Sequence, residues 1–197
     1  MPTTNLSITS VTYVRQDTAT TNYNGTLSIG ETNNGDNSAR RGILNFGGLT
    51  DGTIPSTSTV VSVILKIAPR ADLSDNARTF RTYRLKRNPV YNQCTWNIYS
   101  TGNNWSTAGA FGANDCEQTD IGTCSFTASE TLNVYKEFSL TPSAIQEIVR
   151  GTYSINHLLV KADTELNDGY NFNSISDPYP PILTVEWSYS SGGVIMM

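Results

Sequence analysis

The chain has 197 residues and a formal net charge of −4, and only 15% of its side chains are charged, against roughly 25% in an average domain. That length suits one domain with its own core. The acidic balance excludes a general nucleic-acid binder, which needs cations to displace counterions from phosphates, and the longest apolar run, Val60 to Ala68, is too short to cross a bilayer and is interrupted by Ser62 and Lys66.

Polarity comes from Thr, Ser and Asn, with ten Tyr. Thr, Tyr and Val favour strands, whereas Asn, Gly and Ser favour turns, so the composition predicts an all-β domain with many tight connections. In chain order, Val11 to Arg15 alternates apolar and polar residues as a first strand, and Asn24-Gly25 marks a hairpin-type turn. Thr26–Gly30 and Arg41–Phe46 read as strands on either side of the Asn-rich loop at 33–37. Thr57–Ala68 is the longest β-branched run, and its near-continuous apolarity predicts a central strand buried on both faces. Arg78–Lys86 follows as a strand. Asn88 to Phe126 shows little periodicity but carries Trp96, Tyr99, Trp105 and Phe111, as an ordered binding loop would. Strand character returns at Thr131–Ser139. A helix is predicted next, with Thr141 as cap, Pro142 in the first position, Ile145, Ile148 and Val149 on one face, and Gly151 as terminator. Ile155–Lys161, Tyr170–Ile175 and Ile182–Tyr189 complete the strands. About nine or ten short strands with one helix as a lid predict an antiparallel jelly-roll β-sandwich over residues 1–189, followed by a flexible tail at 190–197.

The chemistry-bearing residues are few. Met1 to Ser10 has neither a basic nor an apolar leader segment, so the chain reads as not exported by the general pathway, or as a mature or excised piece. Cys94, Cys116 and Cys124 make an odd count that favours free thiols, although Cys116 and Cys124 are placed to pair across a loop. His157, the lone histidine, lies in a predicted strand and reads as packed rather than catalytic. Arg78, Arg81, Arg84, Lys86 and Arg87 form a basic run, read as a solvated strand or a subunit contact. Two acidic groups follow, Asp115, Glu117 and Asp120 in the long loop and Asp163, Glu165 and Asp168 after the His157 strand. The second is the better calcium candidate, because strand-end loops add backbone oxygens to the six to eight or so that calcium takes. Tyr91, Trp96, Tyr99 and Trp105 are candidates for an aromatic platform on a sugar ring, with Trp105 expected to be the most exposed. Val194, Ile195, Met196 and Met197 form an apolar tip after a Ser-Gly linker and are expected to dock on a partner.

An ordered set of segments resembles one family. Thr12-Tyr13-Val14-Arg15, Thr21-Asn22-Tyr23 and Leu27-Ser28-Ile29-Gly30 are similar to the start of the DNRLRE domain, and Arg40-Arg41-Gly42-Ile43-Leu44-Asn45-Phe46 to its paired-Arg strand. Ile54-Pro55, Val63-Ile64-Leu65-Lys66, Tyr83-Arg84-Leu85, Thr95-Trp96-Asn97, Glu137 to Thr141, Ile148 to Gly151, Leu158 to Lys161 and Pro181 to Val185 follow in order. The resemblance implies a jelly-roll sandwich similar to carbohydrate-binding modules, in surface or secreted proteins and in virion proteins of tailed phages. The expectation is therefore a non-enzymatic virion structural protein, a capsid decoration, cement or tail-surface component. It would be homo-oligomeric, held by other virion proteins such as the capsid protein, with surface glycans as a further ligand and with no nucleic acid, membrane insertion or cofactor beyond calcium. The alternative is a carbohydrate-binding module or adhesin domain of an extracellular or cell-surface protein.

Overall fold

A computed structural model describes residues 1–30, 38–73, 76–165 and 169–189. Its frame is one long strand shared by two sheets. The first half of β1 (Thr3–Arg15) pairs through Thr3–Ser7 with β13 (Ile182–Ser188), and the second half pairs from Ile8 onward with β3 (Arg40–Phe46). A register shift between Ile8 and Ser10 separates the halves, the kind of irregularity that bends a strand from one sheet into another. Beyond β13 lie β4 (Thr59–Ile67) and β10 (Lys136–Leu140). Beyond β3 lie β11 (His157–Ala162), β6 (Arg78–Arg84) and β9 (Gly122–Phe126). An arm of β2 (Leu27–Gly30), β12 (Gly169–Phe172) and β5 (Pro69–Asp72) joins where Gly30 faces Arg40. A small hairpin, β7 (Ile98–Ser100) with β8 (Asn103–Asn104), stands apart. Every ladder is antiparallel, as expected for an all-β sandwich.

Two apolar clusters explain why these strands stack. In the first, Leu6, Leu65, Phe138 and Val185 of one sheet meet Leu44, Phe46, Phe80 and Leu158 of the other, with Tyr170 and Phe172 of the arm. Phe80 packs edge-on against Phe126 at 4.7 Å and Phe172 at 6.0 Å, the geometry aromatic quadrupoles prefer. The second cluster lies on the opposite face of β3 and β11, where Ile43, Tyr83, Leu85 and Leu159 meet Trp96, Trp105, Cys94 and Cys116 of the long segment after β6. Successive strand residues point to opposite faces, so Leu44 and Leu158 serve the first cluster while Ile43 and Leu159 serve the second. The doubly covered strands are therefore β3 and β11. The expectation that the Thr57–Ala68 run is buried on both faces is corrected. Val60, Val63, Leu65 and Ile67 are buried, whereas Val61 is exposed and Ile64 half-buried. Its outward apolar residues mimic double burial in sequence without a layer to cover them.

The helix α1 (Pro142–Val149) lies where expected, with Gly151 in the left-handed region after it, but the Thr141 side chain makes no cap bond. Helix and sheet are joined by Gln146. Its Oε1 accepts from the Val60 amide at 2.7 Å and its Nε2 donates to the Ser58 carbonyl at 3.1 Å, so one side chain satisfies the start of β4, where β10 does not reach. Two strand boundaries also move. β1 begins at Thr3 rather than Val11. The Thr131–Ser139 strand begins only at Lys136, because Asn133 turns the chain at a φ of 61° and donates its amide to Pro69. The three cysteines are free thiols, with Cys94 and Cys116 buried and pushed up to about 12 by burial.

Candidate functional site

Of the segment from Asn88 to Phe126, residues 88–116 fold over the outer face of β3, β11 and β6 while its end joins the sheet as β9, a strand inside the expected loop, and the arginines of β6 and Arg87 pair with the segment's acidic residues. Arg81 Nη1 donates to Asp120 at 2.8 Å, and Arg84 meets Glu117 through two bonds of 2.9 and 3.0 Å. Arg87 Nε lies 3.7 Å from Asp115. Backbone bonds from Glu117 to Arg84, from Lys86 to Asp115 and from Ile121 to Thr82 zip the returning chain along the same line. Thus Arg81, Arg84 and Arg87 of the basic run face the acidic cluster of the long loop across one seam, buried at Arg84 and half-exposed at Arg81 and Arg87, while Lys86 stays exposed as a solvated strand end would. Arg84 is also held from the helix side, donating to the Ala144 carbonyl and to Glu147 and lying over the Tyr153 ring at 4.1 Å.

Asp115 organises the centre of the segment. Its buried carboxylate accepts from the Ser106 amide at 2.8 Å, the Ser106 hydroxyl at 2.7 Å and the Thr107 amide at 2.9 Å, closing the loop on itself. Gly109 must be glycine on two counts. Its φ is 87°, and a Cβ there would come within 2.7 Å of the Trp96 ring. That approach lets the Gly109 carbonyl reach Arg41 Nη1 at 2.7 Å.

Arg41 is the main tie between sheet and segment. It makes a two-pronged ion pair with Glu165, with both bonds at 2.7 Å and both side chains about 85% buried, and it lies 4.8 Å from the Trp96 ring and 5.7 Å from that of Phe111. Lys161 approaches Glu165 at 4.0 Å and lies 5.0 Å from Phe111. Of the calcium candidates, Glu165 therefore faces two cations rather than an open loop. Asp163 is exposed, its Oδ1 accepting from the Thr164 amide at 2.8 Å. Asp168 lies outside the described residues. Among the described residues no group of three His, Cys, Asp or Glu side chains is placed to hold a metal ion.

The four aromatic candidates do not form one exposed platform. Trp105, expected outermost, is 4% exposed, and Trp96 is 8% exposed. Both belong to the second cluster, and the Trp105 indole donates to the Thr95 carbonyl at 3.0 Å. Tyr99 packs on Trp105 at 5.4 Å between ring centroids, while Tyr91 turns to His157, its hydroxyl 2.9 Å from Nδ1. An indole is the largest apolar surface a side chain offers, so it covers a sheet face when one is available. What remains open over Trp105 is a shallow groove of about 530 Å³ edged by Thr20, Asn97, Ile98 and Asn104.

His157 is 5% exposed and held at both ring nitrogens. Nδ1 accepts from the Tyr91 hydroxyl and from Asn45 Nδ2 at 3.0 Å, so Nε2 carries the proton and donates to Asn88 Oδ1 at 2.5 Å. Burial pushes the imidazole down to about 4, which fixes it as the neutral ring this network needs. The apolar tip Val194, Ile195, Met196 and Met197 lies outside the described residues. No protein-family model matches the chain, and no curated protein matches it.

Proposed function

We propose that this protein is a non-catalytic virion structural protein, a capsid decoration, cement or tail-surface component built on a jelly-roll sandwich of the DNRLRE type. The observation that carries the reading is how far the polar chemistry is consumed within the fold. The carboxylates of the long segment neutralise arginines of β6, Glu165 clamps Arg41, and His157 is locked neutral. A block whose Arg41, Arg84 and His157 are tied internally suits load-bearing contact. The chain's low share of charged residues, 15%, favours association with other proteins over life as an isolated monomer. Partners would be gained through the chain's apolar tip, Val194 to Met197, attached through a Ser-Gly linker.

The test is solution mass by light scattering over a range of concentrations, for the full chain and for a version lacking Gly192–Met197. A closed homo-oligomer that reverts to monomer on truncation is the expected result. A full-length chain that stays monomeric, or an oligomer indifferent to the truncation, contradicts the docking role of the tip. The alternative, a carbohydrate-binding module of a surface or secreted protein, draws on the groove over Trp105, but two of its four proposed rings are covered by the fold itself.

A further inference from the structure

The two outer faces of the sandwich are unequal. That of β3, β11 and β6 is covered by residues 88–116, and Ile43 and Leu159 beneath them are fully buried. The other, formed by β10, β4, β13 and the first half of β1, has no such layer among the described residues, and its outward side chains are half-buried or exposed. Register sets these side chains in three rows across the strands. The central row is Asn5, Thr184, Ile64 and Ser139. One flanking row is Ser7, Ile182, Lys66 and Glu137, and the other is Thr3, Glu186 and Ser62. Val61, at the irregularity between the Glu186 and Trp187 pairings, adds an apolar group that is 39% exposed beside the last row.

The middle of the face is uncharged and the charges stand at its two ends. Lys66 pairs with Glu137 at 2.9 Å, with side chains 30% and 53% exposed, and Glu186 accepts from the Ser62 hydroxyl at 3.0 Å. This distribution is self-complementary. A two-fold axis crossing the strands along the central row reverses strand direction. It lays the Lys66 row of one copy over the Glu186 row of the other, twice, while Ile64 meets its own counterpart on the axis. Lys66 and Glu186 stand on neighbouring strands, ~4.8 Å apart across the face, and stacked sheets lie ~10 Å apart with strands inclined by about 30°, a gap that two long side chains bridge from opposite sides. Four strands at ~4.8 Å spacing and about seven residues at ~3.4 Å give the face roughly 450 Å² in plan, against ~800 Å² per partner in a standard interface. The sheet contact therefore suits a second copy that is also held elsewhere. β13 ends on this face, and residues 190–197 with the apolar tip follow it.

We infer that the outer face of β10, β4, β13 and β1 is a contact between two copies of this chain, stacked antiparallel with Ile64 on the two-fold axis and Lys66 of each copy opposite Glu186 of the other. It deepens the homo-oligomeric reading above, on which it rests, by naming the surface that the tip joins. The second copy supplies the layer that the outward apolar residues of β4 lack in the single chain.

The test is sedimentation equilibrium of the full chain over a range of concentrations at low salt, where charge contacts are least screened, for wild type, Lys66→Glu, Glu186→Lys and an equimolar mixture of the two variants. Both side chains face outward, and an unchanged circular dichroism spectrum and urea midpoint verify each fold. Each variant alone sets two like-charged pairs across the axis and is expected to raise the dissociation constant about tenfold or more. In the mixture each heterodimer regains two opposite-charged pairs, so association is expected to return to the wild-type level. The inference is overturned if neither variant weakens association, if the mixture associates no more tightly than its components, or if the wild-type chain is monomeric throughout. Removing Gly192–Met197 separates the face from the tip. An oligomer lost on truncation but indifferent to the charge swaps removes the face and leaves the tip standing, and one that resists truncation but yields to the swaps does the reverse.

Discussion

Replacing Trp105 with alanine is expected to lower the unfolding free energy by about 3–5 kcal/mol, the range for truncating a buried aromatic side chain. In a chain of this size each kcal/mol shifts Tm by about 2–4 °C, so the transition should fall by roughly 6–20 °C. The ring is 4% exposed and touches Tyr99, and its indole N–H satisfies the Thr95 carbonyl, so the substitution opens a cavity and removes a hydrogen bond together. Urea unfolding of wild type and variant checks this. A loss below about 1 kcal/mol would mean that the ring is not part of the core, and would return it to the role of surface platform that its position in a long polar segment suggests. A control is Glu137→Gln. The Lys66–Glu137 bridge is 30% and 53% exposed, and a surface pair of that kind contributes about 0–1 kcal/mol.

Stability is also expected to fall by roughly 2–3 kcal/mol between pH 7 and pH 4.5, because of one residue. His157 titrates near 6.5 in the unfolded chain and at about 4 in the folded one. Its folded value is depressed, so below 6.5 the unfolded state binds the proton first. The stabilisation is full above 6.5, is lost as pH falls toward 4, and levels off below. Asp17, held down to about 2 by Arg15, first by their hydrogen bond, and by Ser38, adds its own loss only below the ordinary carboxylate range, so the two windows separate. Urea midpoints at a series of pH values test the slope. His157→Asn should flatten it between 6.5 and 4.5 while costing stability at pH 7, because Tyr91, Asn45 and Asn88 lose their shared partner. A wild-type slope that survives in the variant would place the titration elsewhere.

The alternation of Val11–Arg15 and the run from Arg41 to Phe46 identified strands correctly, and Pro142 and Gly151 bracketed the helix, because each of these signals is local. The misread positions share a different cause. Whether an apolar strand is covered once or twice depends on what lies over it, and the layer over β3 and β11 comes from residues 88–116, a stretch with no period to betray its inward face. Trp105 lay among Asn, Ser and Gly and looked like a ligand-reading ring. Its burial follows from Asp115, Gly109 and the Arg41–Glu165 clamp, which bring together residues up to 124 positions apart. The pairing of Arg81, Arg84 and Arg87 with Asp120, Glu117 and Asp115 was visible as two opposite-charge runs, and an antiparallel return of the chain would have matched them.

Amide hydrogen exchange across Thr95–Cys116 distinguishes a structural layer from a binding loop most directly. The amides of Trp105, Gly109 and Cys116, bonded to Asn97, Trp96 and Gly112, are predicted to exchange with the same opening free energy as Ile43 and Leu44 in β3, through global unfolding alone. Exchange of those amides many-fold faster than that of β3, at a pH where β3 stays protected, would show the segment opening on its own and would contradict its place as the third layer of the fold.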